Sequence, residues 1–399
     1  MSESLERPLI TSPDQLLELV ERLRSVGRFA FDTEFVSEDT FEPVLCLVQV
    51  ASADELVAID PLAVRDLGPF WELVNDPKIE VVMHASGEDL RICRFQTGRT
   101  PSRVFDVQIA AGLVGFGYPL SLGNLVSQVA GMSVFGGETR TDWRKRPLTP
   151  AQLRYALDDV RYLLPLADSL QGRLRDLDRV DWAEAEFSSF LWEIENRDEA
   201  SRWRRLPGLH NLNRRGLEVA RRLSTWRAVE ARRLNRPVRQ VIRDDLLIAI
   251  AKRQPGNRAD LEALRDFNRP HLLSKAAELL AIVAESQKVA PESLPEHAER
   301  HDEGPGLTMV VNVLSAALAT CCTEKKVAMS LIGSTSDLKE LVRWQSRDRP
   351  GSEQPFLTKG WRDKVCGETL LDVLAGRSTL RIVDLDSDVP VAVTPYQDA

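Results

Sequence analysis

Residues 28–36 read Arg-Phe-Ala-Phe-Asp-Thr-Glu-Phe-Val, an apolar, aromatic run of strand length with two carboxylates in its middle. Side chains alternate across a strand. Ala30, Asp32 and Glu34 therefore share one face, and Phe29, Phe31, Thr33 and Phe35 share the other. Like charges this close raise each other's pKa, and burial among aromatics raises it further. A divalent cation held between Asp32 and Glu34 removes that penalty. The plain alternative is a strand end at which both acids face water, and an Asp-x-Glu pair alone does not separate the two.

The surrounding pattern is that of a mixed α/β domain. Ser12-Pro13 followed by Asp14-Gln-Leu-Leu-Glu-Leu predicts a capped amphipathic helix ahead of the Asp32 strand. Val44–Ala51 and Glu55–Asp60 read as two further strands, joined by a short polar turn at 52–54. A helical pattern over 61–75 carries Gly68-Pro69, which interrupts it. Then come a strand at 79–83, a helix from Gly87, a short strand at 103–105, and helices over 106–114 and 121–129. Three meandering strands followed by alternating strand and helix predict a mixed sheet with helices on its faces.

Two further acids fall at informative places. Glu88 and Asp89 sit in the first turn of a helix, where the helix dipole favours acids, and that position accounts for both without any further role. Thr149 as N-cap and Pro150 as first helical residue open a helix over 151–164. Tyr155 and Asp159, four apart, share one of its faces beside an apolar stripe of Leu153, Leu157, Val160 and Leu164. Asp159 so placed needs a partner or a cation, while Asp158 points elsewhere. His84 reads as a satisfied core histidine, and His297 and His301 as solvated.

Asp32 and Glu34, then Asp89, then Tyr155-x-x-x-Asp159 is an order of acids similar to that of the DEDD exonucleases with a tyrosine. Five words in sequence sharpen the likeness. Phe31-Asp-Thr-Glu-Phe35, His84-Ala-Ser-Gly-Glu-Asp-Leu90, Phe105-Asp-Val-Gln108, Thr141-Asp-Trp143 with Arg146-Pro-Leu148, and Tyr155 to Pro165 all resemble the ribonuclease D family. One departure is Gly136, at a place where relatives commonly carry lysine; a basic contact to substrate is absent there or supplied elsewhere. Past Asp168 a helical connector runs through Trp182 and Trp192 towards Arg205. Short helices follow, with Trp226 in the first long one, and resemble the HRDC bundle. Trp344 and Gly360-Trp361-Arg362 resemble a second such bundle. Thr379–Asp384 and Val389–Val393 predict a terminal β-hairpin.

The resemblance implies a ribonuclease H-like exonuclease domain over 1–200 with its connecting helices. It implies an HRDC domain over 205–289, a Pro-rich linker over 290–305, and a second HRDC-like domain with the hairpin over 306–399. It implies a 3′-5′ exoribonuclease that releases 5′-mononucleotides by two-metal hydrolysis, with Mg²⁺ or Mn²⁺ as the cations. Phosphodiester hydrolysis needs an activated water and stabilisation of both the entering and the leaving oxygen. Asp32 is assigned as the bridging ligand, Glu34 and Asp159 complete the first site, and Asp89 holds the second ion through water. Tyr155 orients the attacking water. Precursor tRNA, with its free 3′ end, is the substrate the resemblance suggests.

Charge bears on the partner. The chain carries −8 overall, yet residues 201–253 hold fifteen Lys or Arg against four Asp or Glu, leaving −19 for the rest. That block is expected to grip an RNA backbone without reading bases, although charge runs also occur as solvated helix faces. Trp226 is expected to pack in the core rather than stack on a base. The polar start lacks a signal-peptide core, no apolar run is expected to reach membrane-spanning length, and five cysteines without a Cys-x-x-Cys pair fit a reducing cytoplasm. A monomer is favoured. Two competing readings are a DNA exonuclease of the same superfamily and a non-catalytic RNA-binding scaffold; the scaffold is marked by a missing carboxylate, and none is missing.

Overall fold

A computed structural model describes residues 9–132, 141–196, 203–297, 304–346 and 353–396. The chain divides into two compact units, one of residues 1–34, 46–195 and 303–399 and the other of 35–45 and 196–302.

Helix α1 (Pro13–Val26) starts where Ser12 accepts from the Gln15 amide and ends at Gly27, whose φ of 73° is the left-handed conformation glycine adopts without a Cβ clash. Strands β1 (Arg28–Val36), β2 (Val44–Ala51) and β3 (Leu56–Ile59) follow. Ser52 N–H bonds Glu55 O at 2.8 Å to close the turn between β2 and β3, which pair antiparallel. The 61–75 pattern breaks as expected, into α2 (Pro61–Val64) and α3 (Gly68–Val74). Next come β4 (Glu80–Met83), α4 (Gly87–Thr97), β5 (Val104–Asp106), α5 (Val107–Leu113) and α6 (Leu122–Ala130). The sheet order is β3-β2-β1-β4-β5, with β4 parallel to both its neighbours.

This order puts β1 in the middle of the sheet. Phe29 and Phe31 are fully buried and meet Phe70 of α3 at 6.0 and 5.8 Å between ring centroids, and Phe31 meets Trp71 at 6.3 Å. Burying rings of this size stabilises by about 1.5–3 kcal/mol each, so the aromatic face of β1 is committed to α3. The alternation of the strand then leaves Asp32 and Glu34 on the opposite side.

Helix α7 (Pro150–Arg161) opens with a reciprocal cap, Gln152 N–H to Thr149 Oγ1 and Thr149 N–H to the Gln152 side chain. It packs against β3 and buries Ala156, Leu157 and Val160. The expected helix over 151–164 is shorter than its pattern. It stops at Arg161, and α8 (Leu163–Asp176) begins after Tyr162. Pro165 has no N–H for the Arg161 carbonyl and its ring crowds that carbonyl, so the axis shifts there. Leu163, not Leu164, consequently enters the core. The helical pattern expected past Asp168 is met by the rest of α8 and by α9 (Val180–Asn196), which carries Trp182 and Trp192.

The second unit is helical: α10 (Arg214–Leu234), α11 (Val238–Val241), α12 (Asp244–Arg253), α13 (Arg258–Glu262), α14 (Pro270–Leu273) and α15 (Ala276–Gln287). Spacings of three residues along α10 bury Leu217, Ala220 and Leu223 against Leu247, Ile250, Leu279 and Val283. Trp226 lies partly buried on this core and donates its indole N–H to Glu278 at 3.0 Å. The basic block is not a uniform free surface. Glu218 pairs Arg221 and Arg222, Glu230 pairs Arg233, and Asp244 pairs Arg227 and Arg239, all at 3.0 Å or less. Arg214 and Arg215 donate to carbonyls of Leu294 and Ser286.

The chain then rejoins the first unit with α16 (Pro305–Lys325), α17 (Met329–Ile332), α18 (Thr335–Ser346) and α19 (Gly360–Arg362). A π turn (Asp363–Gly367), α20 (Glu368–Leu374) and the expected antiparallel hairpin β6 (Ser378–Ile382) and β7 (Val391–Pro395) complete it. The expectation that no run reaches membrane-spanning length is corrected here, because α16 is long and apolar enough by length and composition to cross a bilayer. Part of its apolar surface is buried, with Leu314, Ala317 and Leu318 in the core where the helix packs on α18 and α20, while Met309 and Val313 are exposed.

This C-terminal bundle is built into the sheet-bearing unit. Ala328 N–H bonds Gly112 O at 2.8 Å, and Arg179 donates to Leu113 O at 2.6 Å and Lys326 O at 3.1 Å. Trp182 stacks on Trp361 at 5.3 Å, and the buried Arg362 guanidinium holds Glu186 at 2.8 Å. Gly112 sits at a tight point of this junction. A Cβ there would lie 2.5 Å from Leu331 Cδ1 and 2.9 Å from Tyr118 Cβ. Gly112→Val is therefore expected to cost about 1–3 kcal/mol of overpacking, read as a lower urea midpoint.

Candidate active site

Three acids converge. Asp32 and Glu34 come from β1 and Asp159 from α7, and one carboxylate oxygen of each lies within 4.8 Å of the other two. All three are half-buried, so the cluster is open to small species while much of its surroundings is protein. Asp89 stands outside this trio. It is buried in the first turn of α4 and accepts a short hydrogen bond from the Thr33 hydroxyl. Its charge is nonetheless felt at both Asp32 and Glu34.

The electrostatics are those of acids forced together. Burial, and then the charges of Asp89, Asp159 and Glu34, hold the Asp32 carboxyl well above the ordinary carboxylate range. Burial, Asp159 and Asp89 push Glu34 up to about 8. Burial, with Asp158 adding to it, takes Asp159 to about 7. Asp89 also rises to about 7 through burial, against the Thr33 hydrogen bond and helped by the charge of Asp106. Two full charges 4–5 Å apart repel by about 3–4 kcal/mol at an effective dielectric of 20. Such a group either keeps protons or takes a cation. Hard oxygen donors of this number and spacing suit a divalent ion such as Mg²⁺ or Mn²⁺.

Tyr155 is half-buried one helical turn before Asp159, with its ring 6.3 Å from that of the buried Trp143. The segment carrying Trp143 is pinned by Arg146. Its guanidinium donates twice to the buried Asp60, at 2.6 and 2.8 Å, and also to the Cys46 and Trp143 carbonyls at 2.7 and 2.8 Å. Burial opposes ionisation of Asp60, but the Arg146 hydrogen bonds and charge win and hold it below its ordinary value. Asp158 faces away and pairs with Arg161 at 2.8 Å. His84 lies 2.9 Å from Leu120 O, outside the acid cluster. His297 is exposed, whereas His301 and Gly136 lie outside the described residues.

Sequence reasoning singled out no role for Thr33, Asp60, Asp106 or Arg146. Three of them stood in the words already noted, Phe31-Asp-Thr-Glu-Phe35, Phe105-Asp-Val-Gln108 and Arg146-Pro-Leu148; Asp60 did not. Their partners are distant in sequence, and only the fold shows them.

Comparison with known proteins accords with this geometry. Residues 8–175 match the family model described as 3′-5′ exonuclease, residues 216–283 that of the HRDC domain, and residues 305–370 that of the ribonuclease D C-terminal HRDC domain. Ribonuclease D of Gluconacetobacter diazotrophicus is 35% identical over 378 residues, covering 94% of both chains. That of Granulibacter bethesdensis is 34% identical over 381 residues, again covering 94% of both. The crystal structure of Escherichia coli RNase D, described as an exoribonuclease involved in structured RNA processing, superposes with a TM-score of 0.81 at 28% identity, over 93% of this chain and 99% of that one. A mixed sheet whose central strand meets a helix at a carboxylate cluster, matched in this way, defines a metal-dependent 3′-5′ exonuclease of the DEDD type. With two HRDC modules following the exonuclease domain, the chain belongs to the ribonuclease D family, and its activity is that of a 3′-5′ exoribonuclease.

The raised carboxyls set a pH dependence for the metal-free protein. The folded state keeps protons that the unfolded chain releases, so stability falls as pH rises from about 4 to about 8. Asp32→Asn removes one charge from the cluster at nearly constant shape. In EDTA it is expected to stabilise the fold by about 1–3 kcal/mol at pH 8 and by nothing below pH 4, as thermal melts at the two pH values will show.

Proposed function

We propose that this chain shortens RNA from its 3′ end by hydrolysing the terminal phosphodiester and releasing 5′-mononucleotides. The substrates proposed are precursor tRNA and other stable RNAs. The observation that carries the reading is the meeting of Asp32, Glu34 and Asp159 from two elements far apart in the chain, with oxygens within 4.8 Å of one another. Two divalent cations, Mg²⁺ or Mn²⁺, would suit this donor set, and Asp32, Glu34, Asp159 and Asp89 are the residues that would hold them. When bound, they supply an activated water and offset charge on the entering and leaving oxygens.

The chain's own groups do the rest. Tyr155, one turn ahead of Asp159, presents a hydroxyl that orients the attacking water by hydrogen bond. Trp143 beside it limits how the ring can turn, and Arg146 through Asp60 holds Trp143 in place. The Thr33 hydroxyl holds one oxygen of Asp89 and so fixes the orientation of that carboxylate. The helical unit contributes RNA backbone contacts from those arginines not already spent on internal pairs, within a module proposed to span 205–289, with the second such module over 306–399. Cytoplasmic residence and a monomeric state are part of the same reading; five buried, unlinked cysteines accord with the former.

The test uses a 3′-labelled RNA and its DNA counterpart of the same sequence. Mg²⁺-dependent release of mononucleotides is expected from RNA, with little from DNA. Asp32→Asn is expected to lower turnover by at least about a thousandfold while changing RNA affinity less than about threefold, and Tyr155→Phe to lower kcat by about 10–100-fold. Wild-type turnover by Asp32→Asn, or release of oligonucleotide fragments, would sink the reading.

A further inference from the structure

Asp106 is almost completely buried, 1% exposed, at the end of β5, and it is not one of the acids assigned to the site. The parallel register of β4 and β5 sets it directly beside Met83, the last residue of β4. From Met83 the chain makes the sharp turn that leads into α4 and Asp89. Ala85 in that turn has φ of 54°, in the left-handed region where its Cβ crowds the backbone. Such a conformation persists only where the surroundings over-determine it.

Asp106 supplies that determination. Its Oδ2 accepts from the Ser86 amide at 2.9 Å and the Ser86 hydroxyl at 2.8 Å, and its Oδ1 accepts from the Ala85 amide at 3.3 Å. Oδ1 also caps α5, accepting from the amides of Gln108 at 2.9 Å and Ile109 at 3.4 Å. Ser86 is the N-cap residue of α4, yet its hydroxyl does not cap that helix; it is turned to Asp106 instead. One carboxylate thus ties the start of α5 to the turn that sets where α4 begins.

We propose that Asp106 is a positioning residue for the exonuclease reaction: by gripping the Ala85-Ser86 turn from behind, it fixes the origin of α4 and thereby presents Asp89 to Asp32. The proposal rests on the reading of Asp89 as a cation ligand. Thr33 completes the arrangement from the other side, so that Asp89 is held by its helix start and by one of its own oxygens. Support of this kind behind a ligand is commonly worth 10–100-fold in metal affinity or rate.

Asp106→Asn separates the role from simple filling of space. The amide keeps the volume and one acceptor oxygen, but it puts a donor against either the Ser86 donors or the α5 amides, and it removes the charge. Mn²⁺ binding to the full chain is measured by calorimetry, alongside thermal melts and steady-state kinetics on RNA. Asp106→Asn is expected to melt cooperatively, to bind Mn²⁺ about tenfold or more weakly, and to lose about 10–100-fold in kcat with KM for RNA changed less than about threefold. Ser86→Ala, which removes a single donor, is expected to shift both in the same direction by less. If folded Asp106→Asn binds Mn²⁺ and turns over like the wild type, even with a lower melting temperature, Asp106 only caps a helix and the inference fails. Failure of the underlying metal reading shows differently, as wild-type protein that takes up no Mn²⁺.

Discussion

Mutual repulsion of carboxylates at the middle of the sheet is the constraint to which the surrounding structure answers. Left to themselves, acids on neighbouring elements move apart or keep their protons. Here they cannot separate, because each is carried by an element pinned for another reason. Asp32 and Glu34 ride on a central strand whose other face is locked under Phe70 and Trp71. Asp159 rides on a helix that is capped at Thr149, buries Leu157 and Val160, and packs on β3. Apolar burial on one side of each element thus sustains charge crowding on the other, and the crowding suits the cluster to a cation.

The acids differ in how they are held. The trio is assembled by the packing of strand against helix, while Asp89 is placed by a strained turn, by Thr33 and by Asp106. Two kinds of support thus leave one acid standing slightly apart from the other three. Arg146 provides a third kind of support. Its bidentate bond to Asp60 ties the 141–148 segment to the end of β3 and sets Trp143 next to Tyr155.

The C-terminal bundle joins this body through contacts a sequence pattern does not announce. A glycine carbonyl on α5, Arg179 ahead of α9 and the Glu186–Arg362 pair with its stacked tryptophans hold it to the sheet-bearing unit. In the helical unit, Glu218, Glu230 and Asp244 each take up arginines that composition alone would count as available to a phosphate. Net local charge remains positive, but the number of arginines able to meet RNA is smaller than their number in the chain.

Signals written within a few neighbouring residues were legible in the sequence: the alternation that puts Asp32 and Glu34 on one face, the Thr149 cap, the break at Gly68-Pro69 and the terminal hairpin. Each depends on local backbone preference and side-chain period, which no distant residue needs to supply. Even there, Pro165 ended the helix at Arg161 although its apolar stripe ran on to Leu164, because loss of one backbone donor outweighs a continued pattern. Which oxygens meet, that Asp89 lies beside rather than within the trio, and that Asp106 stands behind it were decided by tertiary structure. Those relations join residues tens of positions apart, and sheet order and helix packing bring them within hydrogen-bonding range.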